Sequence, residues 1–537
     1  MRKALLFALL SVALLPSAAA AQGMSGPEAE RVADRDAKVV EQRAKNPRLT
    51  SSANEVDGNW EVGYFAGDEE VALVLVDPLT GQVRESWTGY QVAWKMARGY
   101  SGAFGHKLDA PYVFLPLCAL FLLGLVDWRR PWRLANLDLL VLLGFGLSHL
   151  YFNRGEIGVS VPLAYPPLLY LFGRALWIGL RGRGEGLRPV WPAAWLLVAA
   201  LFLVGVRVGL NVADSGAIDV GYAGVVGADR IAHGEPLYGD FPADVSQGDT
   251  YGPVNYYAYV PFERIWPWSG SWDDLPAAHG SAVFFDLATF ALLVFLALRI
   301  RPGPAGRQLA ATLAFGWAAY PYTAFALESN SNDTLVALLL VATLVVLARP
   351  AARGAMLALA TFTKFAPALL APMLATYDRS RRGLAMFSAA FGLTALLAML
   401  WPAIDPGLAT FWERTVAYQA GRDSPFSIWG QVPGLEPLRI AILVAVGLLA
   451  IAVAFWPKRK TLVQVAALAA ALLIGLQLTA QHWFYLYIVW FYPLLLLALT
   501  ALEERGPSPA RSSPPALRRS RRPGLPSPRR PPRPSRT

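Results

Sequence analysis

Three side chains in this 537-residue chain stand where a side chain could do chemistry: Asp219, Lys364 and His482. Asp219 lies in "GAIDVGYAGVVGADR", a few residues beyond a long apolar run. A carboxylate so placed can take a proton from a hydroxyl, and Asp214 and Asp249 are the alternatives for that role. Lys364 is at the centre of "TKFAP", inside an otherwise apolar stretch. An ammonium at that depth, beside a Pro-restricted backbone, needs a cavity or a partner. His482 stands before Trp483 in "QHW", just ahead of the last apolar run.

Positive charge assigns these residues to sides. Spans need about 20 apolar residues, and Lys/Arg-rich connections stay in the cytoplasm. The runs are 110–127, 136–152, 162–180, 191–210, 281–299, 308–327, 333–348, 384–400, 438–456, 461–480 and 484–502. The segment 355–376 has basic flanks at both ends, Arg353 before it and Arg379, Arg381 and Arg382 after it. It reads as two half-helices folding back to one side, with Lys364 near the tip. Every strongly basic connection is then cytoplasmic. The outer loops collect Asp214, Asp219, Asp249, Glu328, Asp333, Asp423 and His482, with Tyr251, Trp268, Trp272, Trp429 and Trp483 among many aromatics.

Carboxylates with aromatic rings suit sugars, because acids bind hydroxyls and rings cover the apolar sugar faces. Outside the cytoplasm no nucleotide sugar is at hand, so a lipid-phosphate sugar is the plausible donor. Its phosphate leaves with little protonation, and one base for the acceptor hydroxyl suffices, given a cationic pocket for the departing charge. Hydrolysis of ordinary glycosidic bonds takes two carboxylates instead. The sequence has no Walker loop, HExxH, Cys/His metal pattern or dinucleotide fingerprint. No cofactor and no metal ligand is therefore expected. The single cysteine, Cys118, excludes an intramolecular disulfide.

The order of elements over about 190–500 resembles the GT-C superfamily of membrane glycosyltransferases. It is closest to glycosyltransferase family 87, the polyprenyl-phosphate-mannose-dependent mannosyltransferases. The elements are Asp219 with Tyr222 and "HGEPLYG", then "DTYGPVNYYAYVPFE", "NDTLVALLL", "KFAP", "SPFSIWG" and "QHWFYLYIVW". The resemblance implies an inverting transfer of mannose or a similar sugar from a polyprenyl-phosphate donor. The acceptor would be a glycolipid or cell-wall glycan at the outer face of the plasma membrane. It implies that Asp219 is the acceptor-activating base and that Lys364 and His482 lie near the donor phosphate or sugar. Tyr222, Asp249, Tyr251, Asn332, Asp333 and Trp483 complete the expected substrate-binding set, although capping of the following span is the expected main role of Asn332 and Asp333. Asp229 and Arg230 read as a structural pair.

The expected fold is an all-α polytopic membrane protein of about eleven spans plus a re-entrant or broken helical hairpin, with a small α+β exported domain at its N-terminus. Residues 1–21 read as a signal peptide, with Arg2 and Lys3, an apolar stretch and small residues near Ala20 and Ala21. Residues 22–108 form the exported part. Ser25 and Glu28 fit a capping box opening a helix over 27–45, and "NWEVGYFAG" and "EEVALVLVDPLTGQVRESW" read as strands. One helix with a sheet and the "VDPLTGQV" hairpin resembles a PepSY domain, a structural or regulatory module. Residues 109–187 add three transmembrane helices outside the resemblance, 188–502 form the transferase core, and 503–537 an Arg/Pro/Ser-rich cytoplasmic tail. That tail holds ten Arg and no acid beyond Glu503 and Glu504, against a net charge of +10 for the chain. The folded body is near neutral, so membrane lipids rather than nucleic acid are the expected surroundings. Two rivals remain: a lipid or glycan transporter or flippase, which needs ionisable residues along several spans, and a membrane assembly or sensor protein working through its exported domain.

Overall fold

The computed structural model describes residues 24–502 apart from 57, 100–103, 185, 273–274 and 423. The expected signal segment, the Arg-rich tail and Asp423 lie outside the described residues.

The N-terminal module is a four-stranded antiparallel meander, β1 Thr50–Val56, β2 Asn59–Ala66, β3 Glu69–Val76 and β4 Val83–Thr88, with helices on one face. Alternation in β2 points Val62 and Tyr64 inward, where they meet Val74, Val76, Ala29, Ala33 and Val39. Each such valine contributes about 1.5–3 kcal/mol by leaving water. The capping box at Ser25 and Glu28 forms. The expected single helix is instead two, Gly26–Ala33 and Ala37–Lys45. Asp36 ends the first by capping the second, accepting from the Lys38 N–H at 2.9 Å. The Asp34 carboxylate turns away to Tyr64 O–H (2.9 Å) and Arg43 (2.6 Å). β1 went unforeseen because "TSSANEV" is an edge strand with little apolar alternation to read.

The rest of the described chain is mostly helical. Among the described residues six helices are long and apolar enough to cross a membrane: Leu134–Phe152, Ile157–Arg181, Ala193–Asp214, Pro276–Ile300, the kinked Arg381–Gly421 and Pro433–Phe455. Phe202, Leu393, Leu397 and Leu448 on these helices are each more than half exposed, as suits a lipid-facing surface. The three helices between 109 and 187 share one apolar core with the remainder. Phe145 stacks on Trp483 at 5.9 Å, and Ser148 and Ser160 meet the Tyr485 hydroxyl at 2.7 and 3.0 Å.

Five further apolar helices are shorter, among them Asp333–Val345, Leu462–Gln477 and Tyr485–Ala501. Thirteen residues, as in Asp333–Val345, rise only about 20 Å against about 30 Å of hydrocarbon. Between the helices are non-helical corners at 329–332, 362–365 and 478–484; two of them carry Lys364 and His482, and Asp333 is the first helical residue after the other. Irregular backbone among apolar helices is tolerated where it lines a cavity. The expected run 308–327 is likewise broken, into Gly303–Ala319 and Pro321–Glu328, because Pro321 lacks the N–H to continue the helix.

The broken hairpin forms. Helix Pro350–Thr361 stops before Lys364, a 3-10 turn Ala366–Leu370 follows at Pro367, and Ala371–Ala375 leads back. Its two ends meet, for Arg353 pairs with Asp378 at 2.6 Å. Lys364 is not the only ionisable group between apolar helices. Asp138 pairs with Arg174 (2.9 Å) and Asp286 with Arg207 (2.6 Å), the latter also accepting from Trp317 Nε1 at 3.0 Å. Each charge is matched across neighbouring helices, which is how such groups persist at depth.

Candidate functional site

Asp219 opens helix Asp219–His233, where the positive end of the helix favours a carboxylate. The segment before it is clamped by the corner at Asn330, whose backbone is left-handed (φ 48°). Asn330 Nδ2 donates to Ser215 Oγ (3.0 Å) and the Gly216 carbonyl (3.2 Å), while Ile218 N–H donates to the Ser329 carbonyl (3.1 Å). Gly221 completes the fit: a Cβ there would collide with the Asn330 carbonyl oxygen. Gly221→Ala must displace one or the other, at about 1–3 kcal/mol. We expect a lower melting midpoint with the N-terminal module's own fold unchanged. Melting curves beside limited proteolysis check this; an unchanged midpoint would contradict the clamp.

Three carboxylates competed for the role of base, and their partners separate them. Asp214 lies by Lys107, 3.5 Å away. Asp249 is fully buried and saturated, accepting from Arg414 Nε and Nη2 and from Gly239 N–H, each at 2.7 Å. Among the described residues Asp219 accepts only from its neighbour Val220 N–H (2.9 Å), and its side chain is open to solvent. Protein nevertheless surrounds it at longer range. That burial pushes its carboxyl up, against the opposing pull of Val220 N–H, Arg422 and Lys364. A carboxylate raised in this way, and lacking a cation of its own, is suited to accept a proton.

Near it is a cavity of about 400 Å³ whose walls include Tyr251, Lys364, His482, Tyr487 and Trp490 together with the apolar Leu443 and Leu476. Asp219 interacts electrostatically with Lys364, Tyr251 and Tyr487 of that wall. Lys364 is buried and bonded to Asp333 at 2.5 Å, with the rings of Tyr251, Trp490 and Tyr487 at 5.1, 5.3 and 5.6 Å. Trp490 Nε1 donates to the same Asp333 oxygen at 2.7 Å. Asp333 is thus an ion-pair partner rather than a helix cap, and Asn332, at the cap position, makes no side-chain cap bond. Both polar side-chain atoms of Asn332 are buried without a partner. An unmet amide of this kind costs about 1–3 kcal/mol until water or a ligand hydroxyl fills it.

His482 has its Nδ1 2.9 Å from Ser424 Oγ. Burial, then the positive charges of Arg422 and Lys364, hold it well below the usual histidine range, so it serves the cavity as a neutral ring.

Other expected residues turn elsewhere. Tyr222 stacks on Trp272 at 4.7 Å and donates to Asp244 at 3.2 Å. Trp483 is buried and donates to Gln477 at 3.1 Å. Asp229 and Arg230 do not pair, since adjacent helical positions face apart. Asp229 meets His233 (3.3 Å), while Arg230 reaches the carbonyls of Pro236 (2.7 Å) and Asp240 (2.6 Å). Among the described residues, no group of three His, Cys, Asp or Glu is placed to hold a metal ion.

Arg422 went unforeseen. Its charge acts on Asp219, His482, Tyr251 and Tyr487, so it stands amid the site. Among the described residues it has no carboxylate partner, and its buried Nε has no hydrogen-bond partner. The signal was available: Arg414 and Arg422 are basic residues in the segment between the apolar runs 384–400 and 438–456, which the charge pattern groups with the acids, and only Arg414 is consumed, by Asp249.

No known family, curated protein or solved structure matches this chain.

Proposed function

We propose that this chain is a membrane glycosyltransferase of the GT-C kind. It transfers a sugar, mannose or similar, from a polyprenyl-phosphate donor to a glycolipid or glycan acceptor at the outer face of the plasma membrane. The observation that carries the reading is an uncommitted carboxylate, Asp219, within electrostatic reach of Arg422, which has no carboxylate partner among the described residues, and of Lys364, which lines a cavity with His482. The cavity's mainly apolar lining also supports it, because Leu443 in that lining is itself exposed. A donor with an isoprenoid tail and an anionic head meets both needs there.

In the proposed reaction the acceptor oxygen attacks the anomeric carbon as Asp219 takes its proton. The bond from that carbon to the phosphate oxygen breaks, and the phosphate leaves with the electron pair. Arg422 stabilises the departing charge, with the Lys364–Asp333 pair and neutral His482 shaping the pocket around it. Attack opposite the leaving group inverts the anomeric centre.

The test is transfer from labelled polyprenyl-phosphate mannose in membranes containing the full chain. Arg422→Ala is expected to lower transfer by about 10²–10³-fold, the usual loss when one donor to a developing oxyanion is removed. Arg422→Lys keeps the charge but not the fork of donors and should recover part of it. Normal transfer by Arg422→Ala would remove Arg422 from the mechanism. Failure of wild type with every polyprenyl-phosphate sugar would remove the transferase reading.

A lipid-carrier reading draws on the buried pairs Asp138–Arg174 and Asp286–Arg207. It predicts movement of labelled lipid between leaflets with no chemical change, which the same membranes can report.

A further inference from the structure

The N-terminal module does not merely hang beside the cavity. After β4 comes a single helical turn, Tyr90–Ala93, and then Trp94. The Trp94 ring leaves the module and sits among the site residues. It lies 5.6 Å from the Arg422 guanidinium carbon, 6.0 Å from the His482 ring and 5.6 Å, edge-on, from Phe426.

The placement is anchored on both sides. Gln91 Nε2 donates to the Ala97 and Gly155 carbonyls at 3.2 and 3.1 Å, joining the turn to the loop after helix Leu134–Phe152. Gly99 and Gly155, both with positive φ, pack so closely that a Cβ on Gly99 would strike the Gly155 backbone, and one on Gly155 the Arg98 carbonyl. Toward the sheet, Arg98 Nε donates to the Gln91 carbonyl at 3.0 Å, and its guanidinium lies 5.6 Å from the Trp87 ring.

An aromatic face and a carboxylate both hold a guanidinium, but with different consequences. A carboxylate cancels its charge and occupies its N–H donors, as Asp249 does to Arg414. A ring attracts the cation through its quadrupole and leaves the donors at the edge free. Arg422 is held in the second way, by Trp94 and by Tyr418 at 5.8 Å.

We infer that Trp94 of the N-terminal module is a positioning residue of the anion pocket: it orients Arg422 toward the donor phosphate, so the module is part of the catalytic unit. This rests on the donor reading above. It differs from that reading in placing a residue of another module in control of donor affinity.

The experiment measures binding of polyprenyl phosphate, and KM and kcat for the polyprenyl-phosphate sugar, on the full chain. Trp94→Leu keeps apolar bulk but loses the π face, whereas Trp94→Phe keeps a ring. Trp94→Leu should weaken binding and raise the donor KM by about 3- to 30-fold, the fold-change of one desolvated cation–π contact, with kcat within a few-fold. Trp94→Phe should recover most of the affinity. Trp94→Leu added to Arg422→Ala should cost nothing further, because the two act as one unit. Equal affinities for the Leu and Phe variants, or additivity with Arg422→Ala, would overturn the inference alone. Absence of polyprenyl-phosphate binding by wild type would overturn the donor reading and this inference together.

Discussion

Asp219→Asn is expected to lower sugar transfer by about 10²–10⁴-fold, the usual contribution of a positioned general base, while the protein folds as well as wild type or better. The two halves of this result have one cause. Surrounding protein raises the Asp219 carboxyl although its side chain is open to solvent, and among the described residues no ion pair answers its charge. A carboxyl raised in the folded state opposes folding once the pH exceeds its unfolded value, and the penalty is complete above the folded value. Asn carries no such charge, so thermal midpoints at neutral pH should be unchanged or higher in the variant. In wild type the active form is the carboxylate, so transfer should rise with pH through a value above the ordinary carboxylate range. His482 is depressed by burial and by nearby cations and should add no limb near its ordinary value. A pH–rate profile of kcat/KM on wild type, with a melting curve of Asp219→Asn, checks all of this. Normal transfer by a well-expressed Asp219→Asn variant would dismiss Asp219 as the base.

What was legible in the sequence was the asymmetry, and what was not was the partnering. Charge at the ends of apolar runs separates the basic connections from the carboxylates, and it singles out Asp219, Lys364 and His482. The two-sided basic flanks of 355–376 sufficed to anticipate the hairpin whose ends Arg353 and Asp378 join. Whether a carboxylate is free depends on cations far away in the chain. Asp249 looks like Asp219 until Arg414, 165 residues on, takes both its oxygens. Asn332 and Asp333 look like caps until Lys364, 31 residues on, claims Asp333. Trp94 lies in a module whose local pattern speaks only of its own sheet. Arg422 was readable only by elimination, once Arg414 is seen to be spent.

The largest expected effect on folding comes from the Lys364–Asp333 pair. Both groups are buried, and the bond between them is 2.5 Å. Removing one partner leaves the other charged without compensation, at a cost of about 3–5 kcal/mol. Lys364→Met and Asp333→Asn, each alone, should therefore express poorly and melt early. Together they should recover most of the loss. The double variant contains no orphaned charge, and the Asn oxygen still accepts from Trp490 Nε1, which donates to Asp333 at 2.7 Å. Met keeps the reach of the lysine stem and its contacts with Tyr251, Tyr487 and Trp490. Melting curves of the four proteins form a double-mutant cycle, and a double variant no more stable than the worse single one would refute the pair as the source of stability. The rescued protein then measures the lysine's share in donor binding. Lys364 is neutralised by Asp333, whereas Arg422 is held by rings alone. The rescued double variant should therefore lose less donor affinity than Arg422→Ala, and the reverse order would make Lys364 the principal anchor of the phosphate.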